Sequence, residues 1–599
     1  MPHRKRSLFN QFLIWKYKHI SPENFVYIIS VLVGFLAGIG AVTLKNLTHF
    51  IFEFLRTGFI KEIHMGFYFV FPIIGLCLTL LVIKFVIRKK IGHGIPSTLY
   101  AISKRESIMY RYQMWASILT APLTVGFGGS VGLEGPTVAT GSALGSNFAR
   151  LFHLDQRTRT LLVGCAAAGA MSSIFKAPIA AIVFAVEIFS LELTLASMVP
   201  LLLASISAVI TSYFFLGGEV LLHFEIQDKF QLEDIAFYIF LGIICSLTSI
   251  YFTKVYFWTH DFFKKIENPW YKLLLGGGLI GIIVYFIPPL FGEGFETING
   301  VLRGDASTIL KNNIFHSKAD SILMIVGLLV GLIIFKVIAM ALTFGAGGIG
   351  GVFAPTLFIG SVTGYVVATV VNYSKIVSHT VSQSNFAMVG MAGLMAGVLH
   401  APLTAIFLIA EITGGYELFI PLMIVAAISF LVTKNFIPHN IYAAELAKKG
   451  QLITHDKDKN VLMMMDIDKV IETDFISTTP KMTLGELVQK AVVKSKRNNF
   501  PVVNKDNQLI GVLHMDDIRP IMFNTELYDS TFVSDLMTSP RDIIDYDQDS
   551  MEVIMEKFKI TSAWNLPIIK EGKYLGFISK SRLLNAYRRK LIMASDSFS

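Results

Sequence analysis

Two stretches of this chain, 219 residues apart, copy each other, and any fold must accommodate the duplication. From Pro136 the sequence reads PTVATGSALG and from Pro355 it reads PTLFIGSVTG, so Gly141, Ser142 and Gly145 match Gly360, Ser361 and Gly364 at identical offsets. A second pair follows: APIAAIVFAVEI from Ala177 and APLTAIFLIAEI from Ala401 each place a glutamate ten residues after the alanine, Glu187 and Glu411. Their separation, 224 residues, agrees with the first within a small indel. The chain is read as two copies of one half-domain, the plan of many transporters, often with the second copy inverted and the substrate site between them.

Both copies are built for lipid. Charged residues make up 16% of the chain, against about 25% in an ordinary soluble domain, and mean hydropathy is +0.58. Apolar spans recur near residues 25–44, 67–87, 112–149, 160–215, 235–255, 272–291, 321–344, 352–373, 386–412 and 417–433. Charge gathers in residues 451–599, which hold 20 Lys and Arg and 21 Asp and Glu. That tail nets −1, so the apolar part carries +10 of a total of +9, and the charge gives no argument for a nucleic-acid partner. There, Lys84 to Arg111 carries seven Lys and Arg against the single acid Glu106, which marks a cytoplasmic loop by the positive-inside rule. Two spans away, the basic N-terminus (Arg4, Lys5, Arg6) falls on the same side as a retained tail. Cys77, Cys165 and Cys245 sit in apolar runs without a CxxC or disulfide framework.

The windows 126–145 and 345–364 each hold seven glycines, with Pro interleaved. Glycine at that density breaks helices, and backbone without partners is tolerated in a bilayer only where protein covers it or it lines a wet cavity. Both windows are expected to be discontinuous helices at the functional centre, with close packing through small residues as the bland alternative.

Between Tyr112 and Ala149 the only charge is Glu134. A carboxylate there costs about 2.5 to 3.5 kcal/mol on insertion scales, so it is a functional candidate. It precedes an apolar helix begun by Pro136, and a helix N-terminus offers unpaired N–H groups and a positive dipole end that bind anions. A carboxylate tethered there would fill the anion's place when ionised and leave it when protonated, gating an anion path and coupling it to protons.

At this point the resemblance is specific. GSVGLEGP (Gly129 to Pro136), GHGIP (Gly92 to Pro96), GGVFAP (Gly350 to Pro355) and Tyr442 in NIYAAEL resemble the anion-path signatures of the CLC chloride channel and chloride–proton antiporter family, in the family's order. The resemblance implies that Glu134 is the gating glutamate, that Val352 and Phe353 turn backbone N–H groups to the anion, and that Tyr442 donates its hydroxyl. A phenol donor stabilises an anion without a full counter-charge, so the ion can leave. The other motif positions, His93, Gly94, Ile95, Leu133 and Gly135, are assigned to the anion site on the same ground. Two positions depart from the family. His93 stands where chloride-selective members usually carry Ser, which bears on selectivity and pH response. Ile188 stands where many proton-coupled members carry a second glutamate, and an aliphatic residue there looks channel-like. Glu187 and Glu411 are expected to be structural hydrogen-bond acceptors.

The polar tail has its own repeat: FPVVNKDNQLIGVLHMDDI from Phe500 and LPIIKEGKYLGFISKSRL from Leu566 each read as strand, turn, strand and helix start. It resembles a tandem pair of CBS domains, modules that dimerise and often bind adenosine nucleotides. In the usual ribose pattern the first repeat keeps the acid, Asp517, but has His514 in the hydroxyl position; the second keeps the hydroxyl, Ser579, but has Arg582 in the acid position.

The expected architecture is an all-α polytopic membrane protein, with two inverted halves and broken helices at its centre, followed by a cytoplasmic α/β CBS pair. The boundaries read 1–20 for a cytoplasmic tail, 21–445 for the membrane domain (halves about 21–215 and 235–445), 446–465 for a linker, and 466–525 and 530–590 for the CBS domains. Its expected role is anion transport by a homodimer in a plasma or cell inner membrane, as a gated channel or, alternatively, as a proton-coupled antiporter. No cofactor is required; the incomplete CBS patterns leave open an adenosine nucleotide across the pair or a purely structural, dimerising role. A CBS-linked metalloprotease would need an HExxH helix, and no His-Glu dipeptide occurs. A magnesium channel would want carboxylates along its pore, where the central windows carry one glutamate.

Overall fold

The duplicated segments fold into matching sets of helices in a computed structural model that describes residues 8–57, 67–89, 91, 92, 94–218, 222, 230–304, 322–376, 379–413, 416–444, 447, 462 and 465–595. The first set comprises α1 (Leu8–His19), α2 (Pro22–Thr57), α3 (Phe67–Leu81), α4 (Gly94–Lys104), α5 (Gln113–Gly126), α6 (Glu134–Leu151), α7 (Gln156–Phe175), α8 (Pro178–Phe189) and α9 (Leu195–Leu216). The second comprises α10 (Ile235–Lys264), α11 (Pro269–Phe286), α12 (Phe295–Leu302), α13 (Ile322–Gly345), α14 (Phe353–Ser374), α15 (Gln383–Leu399), α16 (Pro402–Ile412) and α17 (Phe419–Phe436). Among the described residues nine helical runs are long and apolar enough to cross a bilayer, and this is an integral multi-pass membrane protein.

Local sequence sets the same helix ends in both halves. α7 ends at Lys176 and α15 at His400, each left-handed (φ 55° and 53°), and Ala-Pro follows in both, the proline opening the next helix. Those next helices, α8 and α16, have 12 and 11 residues, about 18 and 17 Å at 1.5 Å per residue, short of a hydrocarbon core of roughly 30 Å. Their N–H groups end in apolar surroundings and need acceptors. Each half supplies them for the other. Glu187, near the C-terminal end of α8, accepts from the Leu403 and Thr404 N–H groups at 3.0 and 2.7 Å and from the Thr404 hydroxyl at 2.5 Å. Glu411, in the same place on α16, accepts from the Ile179 and Ala180 N–H groups at 3.2 and 2.9 Å. Reciprocal capping of this kind requires the two helices to run antiparallel, as inverted halves demand.

The glycine windows serve two purposes instead of one. Gly126 and Gly345 end α5 and α13, residues 127–133 and 346–352 are non-helical, and the rest of each window lies in α6 and α14 and packs closely on the next helix. A Cβ on Gly141 would sit 2.6 Å from the Ala166 carbonyl of α7, and one on Gly360 would sit 2.5 Å from the Gly390 carbonyl of α15. Gly145 and Gly364 face the Leu162 and Phe386 carbonyls in the same way. The expectation of broken helices thus applies to the first part of each window and close packing to the second.

The chain divides into two compact units, Met1–Lys449 and Gly450–Ser599. In the second, the strands are β1 (Ile471–Glu472), β2 (Asn499–Val503), β3 (Leu509–His514), β4 (Ile544–Asp545), β5 (Asn565–Lys570) and β6 (Lys573–Ser579). β2 and β3 form a hairpin over a core that includes Leu484, Phe500, Val502, Leu513 and Val533. The other sheet has the order β1-β6-β5-β4 and covers Ile544, Ile554, Phe558, Ile568 and Ile578. β1 precedes the first repeat in sequence yet pairs with β6 of the second, so each repeat is not a separate stretch of chain.

Candidate functional site

The two non-helical loops meet. Gly132 and Gly351 donate their N–H groups to each other's carbonyls at 2.8 and 2.7 Å, an isolated antiparallel pair. Around it the contacts come in twos. The Ser130 N–H donates to the Thr343 hydroxyl at 3.2 Å and the Ile349 N–H to the Thr124 hydroxyl at 3.1 Å. The Gly129 N–H donates to the Thr124 carbonyl at 2.8 Å and the Gly348 N–H to that of Thr343 at 2.9 Å. Each pair keeps the offset of 219 residues, so a local two-fold axis runs through the Gly132–Gly351 pair. Glycine is required by contact: a Cβ on Gly351 would lie 2.8 Å from the Gly135 nitrogen, and one on Gly94, at φ +43°, would lie 2.9 Å from the Gly135 carbonyl carbon. The glycines of GHGIP, GLEGP and GGVFAP therefore pack backbone against backbone. This brings the N-termini of α6 and α14 together, and first-turn N–H groups have no carbonyl one turn back to accept them.

Beside these termini lies a cavity of ≈ 20 Å³, room for roughly one water-sized sphere. It gathers Gly94, Ile95, Gly135, Val352 and Tyr442 from four separate motifs. The Tyr442 hydroxyl is buried with no hydrogen-bond partner among the described residues. An unpaired buried hydroxyl costs about 1 to 3 kcal/mol, which an acceptor in the cavity would relieve. Tyr256 of α10 and Phe344 of α13 complete the wall, their rings edge-on at 5.7 Å. Sequence reading missed both: Tyr256 lies in a featureless apolar helix, and Phe344 adjoins the second glycine window without belonging to any motif.

Glu134, the first residue of α6, is fully buried; among the described residues its carboxylate has no side-chain partner and faces the backbone N–H groups of Glu134 and Ala354. Its side chain folds back over Gly132 towards Ala354 in the first turn of α14, where a Cβ on Gly132 would strike both residues. The carboxylate thus lies between the two helix N-termini, where their positive ends favour an anion.

The remaining candidates are arranged differently. The Phe353 side chain packs into the core against Phe175 (5.2 Å) and Phe184 (6.5 Å), so only its backbone N–H is available to an anion. The Leu133 N–H departs from expectation: it donates to the Glu293 carboxylate at 3.0 Å instead of facing the cavity. Glu293 reaches it because the Ser130 hydroxyl donates to the Leu290 carbonyl at 2.8 Å and draws that loop in. Neither a motif nor the repeat flagged Glu293. His93 lies outside the described residues. Ile188 is buried on α8 beside Glu187, and Glu187 and Glu411 act as the acceptors described above.

At the ribose-pattern positions of the CBS pair, three side chains are engaged or exposed. The Ser579 hydroxyl donates to Glu472 at 2.6 Å, and Glu472 in turn pairs with Arg497 at 2.5 Å. His514 is engaged by the Asn499 side chain at 2.8 Å, and Asp517 is exposed on the short helix Met515–Ile518.

Comparison with known proteins agrees with this geometry. A family model described as voltage gated chloride channel matches residues 74–434, and CBS domain models match 466–523 and 533–589. The H(+)/Cl(-) exchange transporter ClcA of Vibrio campbellii is 27% identical over 484 residues, which cover 77% of this chain and 97% of that protein. The fold is similar to that of a slow cyanobacterial Cl-/H+ antiporter (TM-score 0.59, 22% identity, 72% of this chain and 98% of that one). It is also similar to that of a eukaryotic CLC transporter (TM-score 0.57, 17% identity, 93% and 98%). With the family model matching more than half of its length, the chain belongs to the voltage gated chloride channel family and carries a CBS pair behind the transport domain.

Proposed function

We propose that the protein exchanges chloride, or a closely related anion, for protons across its membrane, with Glu134 as the moving group. The observation that carries this reading is the carboxylate of Glu134, fully buried between two helix N-termini and facing the backbone N–H groups of Glu134 and Ala354. In its ionised form it is held by the N–H groups and dipole ends of α6 and α14. An anion in the adjoining cavity, taking the Tyr442 hydroxyl and the backbone N–H groups at Val352 and Phe353, competes for the same positive ends and displaces it. A displaced carboxylate in apolar surroundings holds a proton more readily than a charge, so its return releases that proton. Anion and proton then move in exchange. The name of the Vibrio campbellii relative supports this reading.

A passive channel is the second reading, favoured by Ile188. The two separate in proteoliposomes under opposed chloride and proton gradients. A reversal potential that tracks chloride alone means a channel; one that shifts with the proton gradient means exchange. The expected result is a proton-dependent shift in the wild type, and its loss in Glu134→Gln while chloride still flows. Unchanged chloride rate and pH response in Glu134→Gln would remove Glu134 from the gate.

The same reading has the N-terminus and the CBS pair in the cytoplasm, supported by the basic stretch Lys84 to Arg111, and two copies forming a homodimer with one path in each. His93 is read as a selectivity residue of the cytoplasmic mouth.

A further inference from the structure

A second carboxylate addresses the helix that Glu134 begins. Leu133 is the residue before α6 and Glu134 the first within it, and the Leu133 N–H donates to Glu293 at 3.0 Å. One helix N-terminus therefore serves two acids, one from its own half and one from the other. The Glu293 loop is fixed from three directions. The Ser130 hydroxyl holds the Leu290 carbonyl, and the ammonium of Lys336 donates to the Gly292 carbonyl at 2.8 Å. Gly294, at φ +90°, leaves no room for a side chain, since a Cβ there would lie 2.6 Å from the Phe358 ring. Lys336 is itself fully buried in the apolar helix α13, with its ammonium 4.9 Å from the centre of that ring. A lysine kept out of water at this depth needs compensating negative charge. The charged groups facing Glu293 are Glu134 on α6, Lys336 on α13 and Lys45 on α2.

The two acids differ in their access to water. Glu134 has none of its surface exposed, whereas Glu293 is partly exposed. A group that must take up and release protons but cannot meet solvent needs an intermediary that can, within reach of a hydrogen bond or one water. We propose that Glu293 is the proton relay between solvent and Glu134. The proton leaves the carboxyl oxygen of Glu293 and joins that of Glu134; one O–H bond breaks and one forms, Glu293 becomes a carboxylate, and solvent reprotonates it. In the reverse direction the same bonds are exchanged. The protonation state of Glu293 is also felt at α6, because a carboxylate accepts the Leu133 N–H more strongly than a neutral acid does.

This proposal rests on the exchange reading, and the test keeps the two apart. Purified full-length protein in liposomes is given a chloride gradient, and chloride and proton movement are recorded together for the wild type, Glu293→Gln and Glu293→Asp. The amide of Glu293→Gln can still accept from Leu133 but cannot carry a proton. The expected result is that protons moved per chloride fall at least about tenfold in Glu293→Gln while chloride still flows, and that Glu293→Asp recovers most of the coupling. Wild-type coupling in Glu293→Gln overturns the proposal. So does a parallel loss of both fluxes in Glu293→Gln and Glu293→Asp, which would make the residue a support of the fold. A wild type that moves no protons at all instead removes the exchange reading.

Discussion

The two halves of the membrane domain share a backbone and differ in one decisive side chain. In each, a threonine near a helix end receives an N–H from the opposite loop, a glycine pairs with its own repeat equivalent, and a proline two residues into the next helix removes one N–H. At the position 219 residues after Glu134 stands Phe353. The first half places a buried carboxylate at the meeting of the two helix N-termini; the second anchors the same spot with an aromatic ring against Phe175 and Phe184. Duplication built a symmetric cradle of backbone donors, and a carboxylate stands on one side of it only. Two equal carboxylates there would repel each other, and two aromatic residues would leave nothing to titrate.

The largest way to break the symmetry is to force the loops apart. Gly351→Val sets side-chain atoms against the Gly135 backbone, in a place where neither partner has a flexible end to move, and the expected cost is about 3 kcal/mol or more. Little monodisperse protein should be recovered by size-exclusion chromatography. Gly218→Ala, with nothing within 4 Å of the new atom, should behave as the wild type. If Gly351→Val is as stable as that control, the loops are not in contact.

A smaller effect sharpens the comparison of the exchanged caps. Glu187 accepts three hydrogen bonds and Glu411 two, so Glu187→Gln should destabilise by about 2 kcal/mol and Glu411→Gln by less, read from thermal midpoints in detergent. Equal losses would mean that the Thr404 hydroxyl adds nothing and that the halves are energetically equivalent.

The smallest expected effect lies in the C-terminal unit, at an exposed ion pair. Hydrogen bonds from Arg497 at 2.8 and 3.0 Å hold the Asp474 carboxyl below the ordinary carboxylate range. The folded value is the depressed one. Its stabilisation is therefore present above the unfolded value near 4 and lost as pH falls through the folded value. Because Asp474 is exposed, this amounts to well under about 1 kcal/mol. Unfolding of the full-length protein followed between pH 5 and 3 should show a slightly flatter acid slope in Asp474→Asn; identical slopes would show that the pair contributes nothing.

The candidate site was legible where chemistry needs particular residue types at short spacing. Glu134 stood out because it is the one charge in a long apolar stretch, and the glycines because so many in a membrane span conflict with a continuous helix. Tyr256, Phe344 and Glu293 were not legible. The first two are ordinary apolar residues of long helices until α10 and α13 turn them to the cavity. Glu293 belongs to a connecting loop of the second half that carries no matched motif, and only the fold of that loop over Ser130 brings it to α6. In the CBS pair the sequence showed incomplete ribose patterns, and the structure added that the remaining hydroxyl is already engaged by Glu472.

The sequence by itself determined that the chain lives in a bilayer, that its membrane part is duplicated, and that one carboxylate lies where helices break. These follow from composition, spacing and the cost of burying charge, all of which are local. Tertiary structure alone decided that the glycine loops pair on a two-fold axis, that each half caps the other's short helix, and that a second acid takes the amide beside Glu134. Such contacts join residues about 160 to 230 positions apart, and their partners are set by how close two backbones can come in three dimensions, which no local pattern records.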